Sequence, residues 1–304
     1  CYNGILADGK SDWLAAYDEE DGLMRYRTLN PFSAVTWRCT PSPSNGWIFG
    51  WDKSLYCVIE PLEGKWIVEL DFSSEETFIQ AQVFDDQAYR DLYASKDIYL
   101  CTGVLTGMIP REDFDSMSKD DLKTKYKKQR DLLKGFTLAI GYGAGNKTLA
   151  GKTGLPLSEV EKFRKNYDKA FSRTMFVRDE LKRRMESGRL KCLWLANGLC
   201  VSLNRHKVKN SFNAPLNYPI QGTGSVILSK VARDFKREGI RTIATIHDAV
   251  VFEVDEGDME TIYKARDLMK NAADYVLNVQ EGEEGMKVGE PEIIKHGEIW
   301  TPEH

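Results

Sequence analysis

The sequence predicts an α+β fold, in which both ends of the chain build an antiparallel sheet and a block of helices lies between them in sequence. Strand-like apolar segments occur towards the two ends, at 23–29, 66–71 and 242–254. Helical spacing with little Pro or Gly fills the middle, at 119–140 and 158–187. Strands grouped apart from helices are typical of α+β proteins, whereas alternating elements would indicate an α/β protein.

The composition limits the classes of protein to consider. The 304 residues are 42% hydrophobic and 29% charged, which excludes a disordered or fibrous chain and predicts one large domain or two subdomains. The net charge is −4, so a polyanionic partner would have to be met by a local basic patch. No apolar run reaches the roughly 18 residues that a membrane span needs, so no membrane partner is predicted.

The cysteine and histidine content argues against a zinc site or a disulfide framework. The six cysteines form no Cys-x-x-Cys pair, and there are only four histidines. This pattern favours a reducing compartment such as the cytoplasm. The chain opens with Cys1 and shows no signal peptide, so we expect a processed product or the tail of a longer chain.

The predicted strands lead to two acidic residues. The segment 66–71 ends at Asp71, and the segment 242–254 is typical of a tight hairpin with His247 and Asp248 at its tip. Carboxylates held on separate strands could bind two Mg²⁺ ions, which prefer hard oxygen ligands. Two such ions, about 3.5–4 Å apart, stabilise the attacking and leaving oxygens of phosphoryl transfer. The alternative is that each Asp is an ordinary turn residue.

A cationic face is predicted on the first long helix. Arg130, Lys134, Leu138 and Tyr142 recur every four residues, so on a helix they share a face that drifts about 40° per step and spans about 18 Å. The order of cations, apolar side chain and ring matches the phosphates, sugar and base of a nucleoside triphosphate. Seven basic against three acidic residues at 119–134 support a phosphate-bearing ligand. The alternative is an amphipathic helix with a solvated basic rim.

Two further helix starts are predicted from caps and prolines. Ser158, which follows Pro156, has the spacing of an N-cap, and this helix is expected to continue through 158–187. Another helix is expected over 222–237, after Pro219.

Six segments of the chain resemble motifs of the family A DNA polymerases, the DNA polymerase I type. In chain order the segments are Thr36-Trp37-Arg38 (Thr-Gly-Arg in the family), Leu70-Asp71-Phe72-Ser73-Ser74-Glu75-Glu76, Arg130 with Lys134, Tyr142 and Gly143, Asn217-Tyr218-Pro219-Ile220-Gln221-Gly222-Thr223, Ile246-His247-Asp248, and Gly297-Glu298-Ile299-Trp300. No single motif is specific, but their order and spacing together are.

The resemblance implies a right-hand polymerase palm, built on the antiparallel sheet, with a helical fingers subdomain. The implied division is palm over 1–76, fingers over 77–214, and a second palm part with the catalytic hairpin over 215–304. A thumb is expected to be absent from the chain. We therefore expect an N-terminal polymerase segment or a separate subunit to supply it, as in a split, viral enzyme acting in the host cytoplasm.

The resemblance also implies a role for each motif residue in template-directed DNA synthesis from dNTPs. Asp71, Asp248 and the Phe72 carbonyl would hold two Mg²⁺ ions, and Lys134 would assist the two carboxylates in catalysis. Glu76 would be the steric gate against a ribose 2′-hydroxyl. The implied contacts are, for the dNTP, Arg130, Lys134, Leu138, Tyr142 and Glu76, and, for the primer-template DNA, Arg38, Asn217, Gln221 and His247.

Four positions depart from the family's pattern. Ala249 replaces the usual Glu after the hairpin Asp, and Tyr99 replaces a His that often contacts phosphate. Asn213 stands where Arg is usual, and Leu138 where Phe or Tyr is usual. We expect activity to survive with weakened phosphate and template contacts. Because Leu lacks a hydroxyl, we also expect weak acceptance of dideoxynucleotides.

Two other functions stay open at this point. A single-subunit RNA polymerase shares the palm carboxylates and the Lys-to-Tyr helix, although Glu76 and the segment 221–223 favour DNA. A non-catalytic nucleic-acid-binding subunit is conceivable because of Ala249 and Asn213. However, a scaffold would not need both aspartates together with Arg130 and Lys134.

Overall fold

The computed structural model describes residues 20, 29–30, 33–41, 56, 59–141, 144–203, 214–298 and 300. The predicted strand at 23–29, apart from Leu29, lies outside the described residues, as do Tyr142 and Asn213. The described part combines an antiparallel sheet with many helices, so the predicted α+β class is confirmed. None of its helices is both long and apolar enough to cross a membrane.

In chain order the described elements are β1 (Leu29–Asn30), β2 (Thr40–Pro41), β3 (Lys65–Asp71), α1 (Glu75–Val83), α2 (Gln87–Ala94), α3 (Ile98–Thr106), α4 (Arg111–Ser116), α5 (Lys119–Lys125), α6 (Lys127–Gly141), α7 (Asn146–Thr153), α8 (Leu157–Ala170), α9 (Ser172–Glu186), β4 (Cys192–Trp194), a 3₁₀ turn (Ala196–Gly198), β5 (Cys200–Ser202), α10 (Ala214–Arg237), β6 (Arg241–Ile246), β7 (Ala249–Asp255), α11 (Met259–Leu277) and β8 (Glu292–Lys295).

The chain divides into two compact units. We call them the sheet unit, which is Cys1–Ser73 with Gly224–His304, and the helical unit, which is Ser74–Thr223. The assignment of palm to 1–76 and 215–304, and of fingers to 77–214, stays a prediction.

The sheet unit is built on four antiparallel strands in the order β6-β7-β3-β8. β6 and β7 form the predicted hairpin, which turns at residues 247 and 248. The first four residues of β7 are buried, as expected for an apolar run in a strand that has neighbours on both sides. Trp300, 1% exposed, packs in the same core as Ile67 and Val251.

The helical unit has its own core, which is rich in aromatic rings. The Phe136 and Phe163 rings stack with centroids 4.5 Å apart. The hydroxyls of Tyr89 and Tyr167 lie 2.7 Å apart in a buried hydrogen bond, next to Phe171. Burial raises the pKa of Tyr167 to about 12. This core fixes α6, which carries the predicted cationic face.

Two of the predicted helices are each broken in two. The stretch 119–140 turns at Tyr126, the C-cap residue of α5, and continues as α6. The stretch 158–187 turns at Phe171, which ends α8 with φ −107° and ψ 41° and is fully buried. Neither break has a Gly or Pro to mark it. In each case tertiary contacts of an aromatic side chain favour the turn over a longer helix.

Two predicted helix starts were wrong. Ser158 is not a cap, because α8 begins at Leu157 with Pro156 in the N-cap position and without a side-chain cap. The helix predicted over 222–237 begins at Ala214 and runs through Pro219. Proline lacks the backbone N–H that an interior helical residue donates, so the extra turns form with one backbone hydrogen bond missing.

Candidate active site

Strand register brings the two predicted acidic residues to the same end of one strand pair. β3 and β7 pair over seven residues, from Lys65 opposite Asp255 to Asp71 opposite Ala249. Asp248 directly precedes Ala249. Opposite Cα atoms lie about 4.5–5.5 Å apart and consecutive ones about 3.8 Å, so the Cα atoms of Asp71 and Asp248 lie within roughly 9 Å. Both side chains are half-buried.

The backbone beside Asp71 is shaped around its carboxylate. A Cβ added at Gly289 would clash with Asp71 Oδ1, so the side chain needs a glycine beneath it. The Gly289 amide donates to the Asp71 carbonyl at 2.9 Å, and the Ser73 amide donates to the Lys287 carbonyl at 2.9 Å. These two bonds flank the bridge between Phe72 and Val288, and neither of them uses the Phe72 carbonyl.

The hairpin tip holds Asp248 through a constrained turn. His247 is exposed and has φ 54°, in the left-handed region that tight hairpin turns use. Asp248 follows it, and Ala249 pairs with Ile246 to close the turn. Asp248 is therefore positioned by a two-residue turn between strands, as the sequence predicts.

The donor set at this end of the strands fits Mg²⁺. This ion is commonly bound by one or two carboxylates, with water and substrate phosphate completing its coordination. Asp71, Asp248 and the Phe72 carbonyl are hard oxygen donors of that kind. No cluster of three or more His, Cys, Asp or Glu able to hold a metal occurs within the described residues, so such a site would rest on these two carboxylates.

The cationic face of α6 differs along its length. Lys134 is exposed and Leu138 is 39% exposed. Arg130, by contrast, donates from Nε to Asp97 Oδ2 at 2.8 Å. Its guanidinium also lies 5.2 Å from the centre of the Tyr99 ring. Arg130 is thus held in place by α3 and its cap, whereas Lys134 and Leu138 stand open to solvent.

Asp97 connects Arg130 to the start of α3. Its Oδ1 accepts from the amides of Tyr99 and Leu100 at 3.1 and 3.0 Å, and its side chain is 4% exposed. Both carboxylate oxygens therefore have donors, which compensates for the burial of a charge. Asp97 was not predicted as a site residue from the sequence, although Asp before a helix start is a recognisable N-cap signal.

The predicted primer-template residues of the helical unit share one face of α10. Asn217 and Gln221 are four residues apart and both are half-buried. The two residues after Gln221 pack against the residues that follow β4. A Cβ at Gly222 would lie 2.7 Å from Leu195 Cδ2, and the Thr223 hydroxyl accepts from the Ala196 amide at 3.1 Å.

Matches to known proteins identify the family. A sequence model described as DNA polymerase family A matches residues 54–289, which is most of the chain. The chain belongs to DNA polymerase family A. The matched region includes Asp71, the cationic face of α6 and Asp248, so the family assignment rests on the part of the chain that carries the candidate site.

Individual relatives agree with this family assignment. The chain is 27% identical over 268 residues to DNA polymerase I of Aquifex aeolicus, covering 83% of this chain and 43% of that protein. It is 23% identical over 230 residues to DNA polymerase I of Helicobacter pylori, covering 70% of this chain and 23% of that protein. This chain therefore spans less than half the length of each of these two relatives.

A solved structure has the same fold. The POL domain of Pol1 from M. smegmatis, in complex with DNA primer-template and dNTP, superposes with a TM-score of 0.72 at 18% identity. The superposition covers 93% of this chain and 49% of that one. The mixed arrangement of helices and antiparallel sheet is thus that of a family A polymerase domain.

The segment that resembles the family's Thr-Gly-Arg motif has a left-handed residue at its centre. Trp37 has φ 64°, in the region that favours glycine, and it stands where the family's Thr-Gly-Arg segment has Gly. Ser225 of α10 donates to the Trp37 carbonyl at 2.6 Å, and the Ala34 amide donates to the Arg38 carbonyl at 3.1 Å. The segment is held in its turn by these bonds, and Arg38 remains half-buried beside them.

Glu76 lies in the first turn of α1. This helix begins at Glu75, directly after Ser74, whose φ is 54°. Glu76 is half-buried, whereas Glu75 is 4% exposed. Of the predicted site residues, Asp71, Phe72, Arg38, His247 and Asp248 belong to the sheet unit. Glu76, Arg130, Lys134, Leu138, Asn217 and Gln221 belong to the helical unit.

Proposed function

We propose that this chain catalyses template-directed DNA synthesis by adding dNTPs to the 3′-hydroxyl of a primer. The observation that carries the proposal is the register of β3 and β7, which places Asp71 and Asp248 together at one end of a rigid strand pair. The names of the two relatives, and the DNA primer-template and dNTP bound in the similar solved structure, support DNA and dNTPs as substrates.

Asp71 and Asp248, with the Phe72 carbonyl, are proposed to hold two Mg²⁺ ions. When bound, such ions supply Lewis acidity for the attacking hydroxyl and charge compensation for the leaving pyrophosphate. The contribution of the chain is to hold the carboxylates on strands, so that little reorganisation is needed during the reaction. The glycine at position 289 keeps space for the Asp71 carboxylate.

The helical unit is proposed to bind the incoming nucleotide. Lys134, which is exposed, would contact the triphosphate and add positive charge, or a proton, to the departing pyrophosphate. Arg130, oriented by Asp97, would bind the same phosphates through its remaining N–H groups. Leu138 and Tyr142 would lie along the sugar and base, and Glu76 would exclude a ribose 2′-hydroxyl.

The primer-template DNA is proposed to contact Arg38, Asn217, Gln221 and His247. Such polar groups suit backbone and groove positions that all sequences share, as a copying enzyme requires. We also propose that a further polymerase segment or subunit supplies a thumb that grips the duplex. A cytoplasmic location, in a host cell if the protein is viral, belongs to the same proposal.

Primer extension with matched carboxylate variants tests the proposed function. Asp71→Asn is expected to lower the extension rate by at least about 10³-fold, because loss of a metal-binding charge removes several kcal/mol of transition-state stabilisation. Asp255→Asn is the matched control, since Asp255 lies at the opposite end of the same strand pair in an exposed ion pair with Lys65. It is expected to retain full activity.

Three outcomes would contradict the proposal. Unchanged extension by Asp71→Asn would indicate a contaminating polymerase. Equal loss in Asp255→Asn would indicate damage to the sheet instead of the site. Faster incorporation of rNTPs than of dNTPs would favour a single-subunit RNA polymerase. The assay should be run with and without the upstream coding region's product, so that a missing grip on DNA is not mistaken for a missing active site.

A further inference from the structure

The β4–β5 hairpin of the helical unit carries two cysteines on one face. In its antiparallel register Cys192 lies opposite Ser202, and Cys200 lies opposite Trp194. Side chains alternate between faces along a strand, so residues two apart share a face. Cys192 and Cys200 are therefore diagonal neighbours on the same side of the hairpin.

The face that carries the cysteines is the accessible one. Leu193 and Val201, on the opposite face, are each 1% exposed. Cys192 and Cys200 are both free thiols and half-buried, and Trp194 on their face is 62% exposed. A small reagent can thus reach the thiols without unfolding the hairpin.

The two cysteines influence one another electrostatically. Burial is the largest cause of a raised pKa at Cys192, and the neighbouring Cys200 side chain raises it further. Diagonal neighbours in a sheet have Cα atoms about 7–8 Å apart, slightly more than the roughly 4.4–6.8 Å that a disulfide usually spans. A disulfide here therefore requires the two strands of this three-pair hairpin to move closer by about 1 Å.

The hairpin also supports a segment that matters to the proposed function. Leu195, next after β4, packs against Gly222, and the Ala196 amide donates to Thr223. Gln221 directly precedes these two residues. The hairpin is thus in contact with the two residues that directly follow Gln221 in α10.

We propose that Cys192 and Cys200 form a paired-thiol site that is reversibly oxidised to an internal disulfide by small disulfides of the glutathione type. In the first step the thiolate of one cysteine attacks a sulfur of oxidised glutathione and expels a glutathione thiolate. In the second step the thiolate of the other cysteine attacks the mixed disulfide and expels the second glutathione. Two protein thiols are oxidised, one glutathione disulfide is reduced to two thiols, and the two protons pass to the expelled thiolates.

A single tryptic peptide reports the reaction directly. Trypsin cleaves after Lys191 and after Arg205, so residues 192–205 contain both cysteines and no others. The folded full chain is incubated with oxidised glutathione at a series of glutathione ratios, quenched with an alkylating reagent and digested. We expect this peptide to be two hydrogens lighter than the reduced form and to carry no alkyl group. Dithiothreitol is expected to restore two alkylation sites.

Variants separate the paired site from ordinary thiol oxidation. Cys192→Ser is expected to leave Cys200 as a stable mixed disulfide with glutathione, because no resolving thiol is present. Cys101→Ser is the matched control, since Cys101 is also half-buried but lies on α3, and it is expected to leave the 192–205 peptide unchanged. The equilibrium constant for forming the internal disulfide should be at least about tenfold larger in the folded protein than in urea. In the folded hairpin the two cysteines are already neighbours, so the entropy cost of closing the loop between them is smaller.

Two results would overturn the proposal. A folded chain whose 192–205 peptide gains one or two glutathione groups, or remains fully alkylated at ratios that oxidise Cys39, would show two independent thiols. Equal formation in folded and urea-unfolded protein would show that the hairpin contributes nothing. Because all readouts are masses, they do not depend on polymerase activity.

Discussion

The predicted site residues of the sheet unit and those of the helical unit are held by different means. In the sheet unit, Asp71 and Asp248 are fixed by backbone register, since each stands at or next to the end of a paired strand. In the helical unit, Arg130 is fixed by a side-chain contact with Asp97 across 33 residues of sequence. A strand pair tolerates substitution of its terminal side chains, whereas a buried ion pair does not. The sheet unit should therefore lose function without losing stability, and the helical unit should lose both together at Arg130.

Arg130→Ala should give the largest change in stability. Asp97, whose side chain is 4% exposed in the structure, would lose its basic partner. We therefore expect the free energy of unfolding to fall by about 2–4 kcal/mol. Lys134→Ala is the matched control on the same helix, because Lys134 is exposed, and its stability should stay within about 0.5 kcal/mol of the parent. Urea unfolding measures both. Equal stabilities would mean that the contact with Asp97 is dispensable.

The sequence was sufficient where local pattern decides the structure. The apolar run up to Asp71 and the two-residue turn at 247–248 could be predicted, and strand pairing then places both carboxylates without further information. The resemblance to the family located the other motif residues. Contacts between residues distant in sequence could not be predicted in this way, and the bond between Arg130 and Asp97 is one of them. The break at Phe171 escaped for the same reason, since it depends on rings of Tyr89 and Tyr167 and not on local helix propensity.

Gly222→Ala tests the support of the segment next to Gln221, which is proposed to contact DNA. The added methyl would lie 2.7 and 2.9 Å from the two terminal carbons of Leu195, so overpacking should lower the free energy of unfolding by about 1–3 kcal/mol. Leu195→Ala alone creates a cavity, but combined with Gly222→Ala it should recover part of the loss. A double-mutant cycle by urea unfolding measures the coupling. Additive effects would show that the two residues do not touch.

Alkaline pH should weaken the helical unit before the sheet unit. The pKa of Tyr167 is raised by burial to about 12 from the ordinary 10.0, and burial likewise raises the pKa of Tyr89. When folding raises the pKa of a group, that group stabilises the fold fully at pH values below its unfolded-state pKa. This stabilisation is lost as the pH rises towards the folded-state pKa. We therefore expect the free energy of unfolding to fall between about pH 10 and about pH 12 by roughly 1 kcal/mol per pH unit through Tyr167, and Tyr89 to change it in the same direction above pH 10.

A double variant isolates the two tyrosines. Tyr89→Phe combined with Tyr167→Phe removes both hydroxyls of the buried pair, which should be nearly neutral at pH 8. It should also make the free energy of unfolding decrease less steeply with pH above pH 10. Hydrogen exchange resolved along the chain would show which unit opens first. A fall that is as steep in the double variant would assign the alkaline weakness to other groups.

Mg²⁺ should stabilise the sheet unit slightly and specifically, which is the smallest of these effects. At 10 mM Mg²⁺, a site with a dissociation constant near the millimolar range would raise the free energy of unfolding by about 1 kcal/mol. The increment should vanish in Asp71→Asn and in Asp248→Asn but persist in Asp255→Asn. Measurements at constant ionic strength remove general screening of surface charge. An equal increment in all three variants would locate the bound ion elsewhere, and the strand register would then position two carboxylates that do not act on metal.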